Sequence, residues 1–359
     1  MRALCVVGAR PNFMKIKPVM DALEHRGVEV VLVHTGQHYD RSMSTVFFEE
    51  LGIRPPDRWL DVGSGSHVEH TARVMIALDP VMADVMPDVV VVVGDVNSTM
   101  AASLVAAKSS ARLAHVEAGL RSRDWTMPEE VNRLVTDSVS DDLLAPSPDA
   151  VENLLAEGHP RERIHLIGNV MIDTLLANLD RAKQGSVLER LGLEPRGYGL
   201  VTLHRPANVD EVGMLKSLLG ALGEISARCP LVLPAHPRVV PQLAALEVPA
   251  GLHVIDPLGY LDFVAMEASA RLVLTDSGGV QEETTALGVP CLTLRDTTER
   301  PITISEGTNV LVGRDPARIA AQALRVIDEG VPPRRPALWD GQAGNRIAEV
   351  LVDETRPRR

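Results

Sequence analysis

The sequence predicts an α/β protein of two doubly wound halves, each a parallel sheet with helices on both faces. Three observations carry that expectation. Short β-branched apolar runs alternate with longer amphipathic stretches along nearly all of the 359 residues. Alternation of that kind implies parallel pairing with right-handed crossovers. The run DVVVVVGD at 88–95 has no polar alternation, which suits a strand covered on both faces. The segment RAKQGSVLERLGLEPRGYG at 181–199 then interrupts the rhythm with charge, Gly and Pro, and the alternation starts again after it.

In the first half the pattern predicts strands at 3–7, 28–34, 88–93, 113–116, 143–145 and 164–167. Helices are expected at 15–25, 67–86, 100–108, 128–138 and 150–157. The second half repeats the scheme with strands at 199–203, 231–234, 252–255, 272–274 and 291–294. Helices are expected there at 212–228 and 239–246. Residues 1–190 therefore read as an N-terminal domain and 191–359 as a C-terminal one. The last helical pattern, 344–353, is long enough to pack back on the first half.

Composition narrows the function. Lys and Arg number 36 against 48 Asp and Glu, a formal charge of −12, and aromatic residues make up 3%. That balance argues against a nucleic-acid or anionic-membrane surface, so any phosphate must be bound at a local site. The 45% apolar share is ordinary for a globular chain. Cys5, Cys229 and Cys291 are few and far apart, so neither a disulfide framework nor a structural zinc site is expected. The opening apolar run stops at Val7, too short for a signal peptide, and no stretch nears the ~20 apolar residues of a membrane span. A cytoplasmic protein is expected.

Ligands of open α/β sheets sit outside the carboxyl ends of the strands. Here those ends are unusually polar: Gly8-Ala9-Arg10, Thr35 to His38, Gly94-Asp95, His115 with Glu117, His204-Arg205, His236, and Asp276 to Gly279. Seven such ends point to one shared cleft between the halves. In TDSGGVQEETTALG, Ser277 can cap a helix, and Gly278 and Gly279 let backbone N–H groups approach a ligand. A helix N-terminus carries about half a positive charge, which suits phosphate. A plain Ser-Gly-Gly turn is the bland alternative. The sequence is neither a Walker motif nor GxGxxG, so neither P-loop ATPase nor standard dinucleotide chemistry is indicated.

Carboxylates form the second signal. Asp95 ends the valine strand, Glu117 shares a face with His115, and Glu129 and Glu130 open a helix after Pro128. Gathered in one cleft, such groups would push their pKa values apart into an acid and a base. The alternatives are a helix cap for Asp95, a buried pair within His-Val-Glu, and dipole compensation for Glu129 and Glu130. No third ligand stands at a regular spacing, so no metal is expected. The cations are Arg10, Lys15, His204, Arg205, His236, Arg295 and Arg300. Arg10 and Lys15 flank a helix start, where positive charge is unfavourable unless an anion compensates it. For His204 the alternative is a capped core histidine.

Nine segments then carry a resemblance: GARPNFMKIKPVMDAL, HTGQHYDRSMSTVFFEELGI, GDVNST, HVEAGLRS, MPEEVNRLVTD, GNVMIDTL, TLHRPANVD, AHPR and DSGGVQEETTALGVPCLTLRDTTERP. In this order the chain resembles the non-hydrolysing UDP-N-acetylglucosamine 2-epimerases over roughly residues 1 to 350. The resemblance implies a GT-B-like fold of two Rossmann-like domains, the active site in the interdomain cleft, a C-terminal UDP-binding domain, and a homodimer. It implies inversion at carbon 2 of UDP-GlcNAc to give UDP-ManNAc without a cofactor, by elimination of UDP to a 2-acetamidoglucal and re-addition. Acid and base roles then fall on Asp95, Glu117 and Glu129, with His204 also in the catalytic set. Diphosphate contacts fall on Arg10, His204, Ser277, Gly278 and Gly279, the ribose contact on Glu283, and another site position on Lys15. Arg205, His236 and Arg300 complete the expected substrate-binding set.

The chain departs from the family at three places. GARPN and TERPI stand where members often read GTRPE and TERPE. TGQHYD differs from the QHR form, whose members bind a second UDP-GlcNAc as activator. A UDP-linked 2,3-diacetamido uronic acid, handled by a sister group, stays open as substrate, as does a GT-B glycosyltransferase.

Overall fold

The computed structural model describes residues 1–36 and 50–353, so the TGQHYD segment from Gln37 onward lies outside the described residues. The chain forms two compact units, one of Met1–Thr174 with Ala337–Arg359 and one of Leu175–Pro336.

The first unit holds a seven-stranded sheet: β1 (Arg2–Val7), β2 (Glu29–His34), β3 (Arg58–Trp59), β4 (Val89–Val93), β5 (Arg112–Val116), β6 (Asp142–Ala145) and β7 (Ile164–Leu166). Every pairing is parallel, in the order β3-β2-β1-β4-β5-β6-β7. All five valines of β4 are buried, as their uninterrupted run requires. Leu4, Val6, Val90, Val92 and Leu113 meet Leu78, Met82 and Ala102 of the helices on one face.

The second unit repeats the plan with six strands: β8 (Gly199–Thr202), β9 (Leu231–Pro234), β10 (Leu252–Ile255), β11 (Leu272–Thr275), β12 (Cys291–Thr293) and β13 (Asn309–Leu311). They are also parallel, in the order β10-β9-β8-β11-β12-β13. Both sheets are doubly wound and Rossmann-like, as the sequence predicts. In each, the order reverses beside the first strand, between β1 and β4 and between β8 and β11. A crevice at such a switch point is where open α/β sheets bind ligands. The very short β3 and β13 carry too little periodicity to be legible in the sequence.

The partition differs from the sequence expectation of a joint near residue 190. The chain passes from one unit to the other within helix Val170–Lys183. The Gly- and charge-rich stretch follows that crossing, and its short helix Val187–Leu191 packs on helix Tyr260–Ser269 of the second unit. The last helix, Ala343–Val352, belongs to the first unit and lies against helix Arg10–Glu24. Asp173 anchors it by accepting the N–H groups of Ala343 at 3.1 Å and Gly344 at 2.7 Å. A Cβ at Gly344 would stand 2.5 Å from the Pro18 carbonyl oxygen, so the approach needs glycine. Among the described residues no helix is long and apolar enough to cross a membrane.

Candidate active site

The switch point of the first unit gathers the ends of β1, β4 and β5. Arg10 opens helix Arg10–Glu24 after β1, and no acidic residue stands in that helix's first turn. Asn12 locks the turn: its Oδ1 accepts the N–H groups of Gly8 at 3.1 Å and Ala9 at 3.0 Å, and its amide donates to Val93 O at 3.1 Å. One turn later Lys15 is buried and ion-paired with Glu117 beyond β5. Between them lies Gly94. A Cβ there would stand 3.2 Å from Lys15 Nζ and 3.3 Å from Glu117 Oε2, and its φ is +69°. Only glycine lets the chain turn so close to the pair.

Glu117 has φ +76°, a left-handed conformation that is strained for a residue with a Cβ. Such strain costs on the order of 1–3 kcal/mol and concentrates at functional sites. Its N–H is held by Leu144 O at 3.0 Å. Contrary to the buried pair weighed within His-Val-Glu, His115 turns from Glu117 and binds Asp137 at 2.6 Å.

Asp95 follows Gly94. It does not cap the next helix, Asn97–Ala106, whose N-cap is Val96. Instead Asp95 Oδ2 accepts from Arg133 Nη2 at 2.6 Å. Arg133 also grips Glu130 at 2.7 Å, and Glu130 accepts the N–H groups of Ser122 and Arg123, both at 2.9 Å. Burial would raise the Glu130 carboxyl, but these backbone donors and Arg133 hold it below the usual range. Glu130 is thus consumed by structure. Its neighbour Glu129 is half-buried and, among the described residues, its carboxylate makes no hydrogen bond or ion pair. Glu129 and Glu130, alike in sequence, are separated by their surroundings.

The second unit presents a different set at its own switch point. Asp276, at the end of β11, is fully buried. It accepts the N–H groups of His204 and Arg205, the Asn208 amide at 3.0 Å, and lies 2.8 Å from His204 Nδ1. Burial alone would raise its carboxyl, yet His204 and the other donors hold it below the usual range. The ring of His236 lies 5.8 Å from that of His204. Arg205 Nη2 stands 4.0 Å from Glu299 Oε1.

Helix Gly278–Leu287 starts immediately after Ser277. The Ser277 hydroxyl, expected as its cap, makes no cap hydrogen bond, and the first turn is free of acidic residues. The leading N–H groups of that helix are therefore left for a ligand or solvent. A Cβ at Gly278 would meet Glu299 Oε1 at 2.7 Å. Glu282 and Glu283 fall later than the first turn, and both are buried. Glu282 is matched by Arg300 at 2.6 Å, which occupies that cation in a buried ion pair. Glu283 is pushed up to about 8 by burial and then by Glu282, with Tyr260 pulling back.

Asp95, Glu117 and Lys15 thus converge within the first unit, and His204, Ser277, Gly278 and Gly279 within the second. The sequence pattern does not single out Arg133, Asn12 or the anchoring role of Asp276. Arg133 was visible as the i+3 neighbour of Glu130 in PEEVNR, and Asp276 as one more polar strand end.

The UDP-N-acetylglucosamine 2-epimerase family model matches residues 21–352. A UDP-2,3-diacetamido-2,3-dideoxy-D-glucuronate 2-epimerase of Pseudomonas aeruginosa is 42% identical, over 98% of this chain and 99% of that protein. The crystal structure of Methanocaldococcus jannaschii UDP-GlcNAc 2-epimerase in complex with UDP-GlcNAc and UDP is 39% identical. It superposes with a TM-score of 0.90, over 98% of this chain and 99% of that one. The Neisseria meningitidis UDP-GlcNAc 2-epimerase bound to UDP-GlcNAc gives a TM-score of 0.90 at 31% identity, over 99% of this chain and 100% of that one.

Proposed function

Since the chain belongs to the UDP-N-acetylglucosamine 2-epimerase family, we propose that it inverts carbon 2 of UDP-GlcNAc and returns UDP-ManNAc. A carboxylate removes the carbon 2 proton, the bond from carbon 1 to the diphosphate oxygen breaks, and UDP and a 2-acetamidoglucal result. UDP then re-adds at carbon 1 while an acid delivers a proton to the other face of carbon 2. Asp95, Glu117 and Glu129 serve as acid and base, and His204 with the start of helix Gly278–Leu287 stabilises the departing diphosphate. Arg10, Arg205, His236 and Arg300 belong to the same substrate-binding set, and Glu283 takes the ribose.

The observation that carries this reading is the buried Lys15–Glu117 pair beside Gly94 and Asp95 at the first switch point. A binding protein has no use for a strained carboxylate set against an amine. A glycosyltransferase would need an acceptor and no proton transfer at carbon 2. The test is incubation with UDP-GlcNAc alone in heavy water, followed by NMR. A second UDP-sugar carrying deuterium at carbon 2 supports the reading. Free ManNAc, or no conversion, overturns it.

The 42% identity to the P. aeruginosa enzyme favours a second reading, with a UDP-2,3-diacetamido uronic acid as substrate of the same chemistry. Running both sugars in parallel separates the two.

A further inference from the structure

His115, on β5 beside the first unit's switch point, is fully buried and hydrogen-bonded through both ring nitrogens. Nε2 faces the Gly94 carbonyl oxygen at 2.8 Å, and Nδ1 faces Asp137 Oδ1 at 2.6 Å. A carbonyl oxygen only accepts, so Nε2 must carry a proton. Asp137 is held as a carboxylate by donors on its other oxygen: Oδ2 accepts from Arg121 Nη2 at 2.7 Å and from the Gly119 N–H at 3.1 Å. A carboxylate also only accepts, so Nδ1 must carry a proton as well.

Charge accounting agrees. Asp137 receives Arg121 at 2.7 Å, and Arg121 also binds Glu157 at 2.6 Å. Arg121 and a doubly protonated His115 balance Asp137 and Glu157, the last of which lies toward solvent. The other elements against β5 leave that balance unchanged. Helix Asn97–Ala106 and β4 bring no titratable side chain, and β6 brings only Asp142, paired with Arg112 at 2.7 Å. From helix Pro128–Val139, Arg133 is matched by Glu130 and Asp95, and Glu129 is half-buried at its start. Lys15 and Glu117 neutralise each other.

These bonds grip both turns that carry the candidate acid and base. Gly94, with φ +69°, donates its N–H to Val116 O at 3.1 Å and accepts His115 at its own carbonyl. Its peptide links are thus clamped one residue before Asp95. Asp137 also takes the Gly119 N–H at 3.1 Å, two residues after the strained Glu117. We propose that His115, protonated on both ring nitrogens and anchored by Asp137, is a positioning residue that fixes Asp95 and Glu117 for proton transfer at carbon 2. The proposal rests on the epimerase reading for what is being positioned, but the state of the ring can be tested without it.

The test uses the full chain labelled with ¹⁵N in its histidine rings. Long-range proton–nitrogen NMR of the free enzyme at about pH 7.5, where exposed imidazoles are mostly neutral, should show both His115 nitrogens protonated. His115→Gln serves as the assignment control. A single neutral tautomer overturns the proposal whatever the enzyme turns over. In kinetics, His115→Phe should lower kcat about 100-fold, the scale of an ångström-size misplacement, while the Kd for UDP changes less than about 2-fold. His115→Gln, which keeps one donor for Gly94, should recover at least about 10-fold of that loss. Unchanged kcat in a folded His115→Phe, or parallel losses in kcat and UDP affinity, would refute positioning. If wild-type enzyme converts no UDP-sugar while the NMR signature is present, the epimerase reading fails and the charged ring stands.

Discussion

Asp276 Oδ1 stands 2.8 Å from His204 Nδ1, and the same carboxylate accepts the backbone N–H groups of His204 and Arg205. One buried side chain therefore fastens the end of β11 to the end of β8, the two strands that flank the second unit's switch point. It fixes both the orientation of the imidazole and the path of the chain that offers it.

Replacing Asp276 by Asn should therefore cost stability and ligand affinity together. Several donors converge on a group that loses its charge, which is worth about 2–3 kcal/mol for hydrogen bonds to an ionised partner. The folded carboxyl is held below its ordinary value of 3.8, so its contribution is present above that value and fades as pH falls through the folded one. Chemical denaturation should show a deficit for Asp276→Asn near neutrality that narrows in acid. A constant deficit at every pH would contradict the ion-pair account.

Asp95→Asn, Glu117→Gln and Glu129→Gln should each reduce turnover of UDP-GlcNAc by at least ~100-fold, the low end for loss of a general acid or base. UDP affinity should change little, because none of these three carboxylates is assigned to the diphosphate or the ribose. Glu130→Gln should behave differently. It leaves Arg133 buried with a weakened partner and releases the Ser122–Arg123 turn, so its main effect should be on thermal stability. Near-normal turnover in any two of the first three variants would end the assignment.

The contrast between Glu129 and Glu130 shows how far sequence reasoning reached. The alternation of β-branched runs and amphipathic stretches, and the polar residues after each strand, made both sheets and both switch points legible. Adjacent glutamates at a helix start are equivalent in a linear pattern. Only the tertiary placement of Arg133 and the Ser122–Arg123 turn decides which one is tied down. The anchoring of the last helix in the first unit depends likewise on Asp173, 170 residues from the N–H of Ala343 that it accepts. No local periodicity reports such a contact. The conformation of Glu117 is hidden for the same reason, since nothing in His-Val-Glu-Ala-Gly announces a positive φ at a residue with a side chain.

Gly278→Val should weaken UDP binding by at least ~10-fold, or about 1.4 kcal/mol. A Cβ at this position would lie 2.7 Å from Glu299 Oε1, so the carboxylate must shift and the helix start becomes crowded. Calorimetry on a folded variant decides the matter. A companion Glu299→Gln variant separates the two causes, because it leaves the glycine in place. Unchanged UDP affinity in Gly278→Val would remove the diphosphate from this helix.

Glu267 is fully buried, and neither of its carboxyl oxygens has a hydrogen-bond partner among the described residues. Burial, and then the charge of Glu283, pushes its carboxyl well above the ordinary 4.5. A carboxyl whose folded pKa is raised favours the fold in acid, and that advantage is lost as pH rises toward the folded value. Glu283, itself pushed up to about 8, titrates within the same interval. Glu267→Met supplies a chain of similar length with no charge to bury, so it should stabilise the protein. The gain should reach about 1–3 kcal/mol, the cost of an unsatisfied buried polar group. In a unit of this size each kcal/mol raises Tm by roughly 2–4 °C. Because Glu267 is neutral in acid, the gain should be small at about pH 5 and larger at about pH 8, the direction that linkage requires. Thermal denaturation of both proteins across that interval measures it. A loss of stability, or a gain that shrinks as pH rises, would show that the Glu267 carboxyl is compensated in the fold.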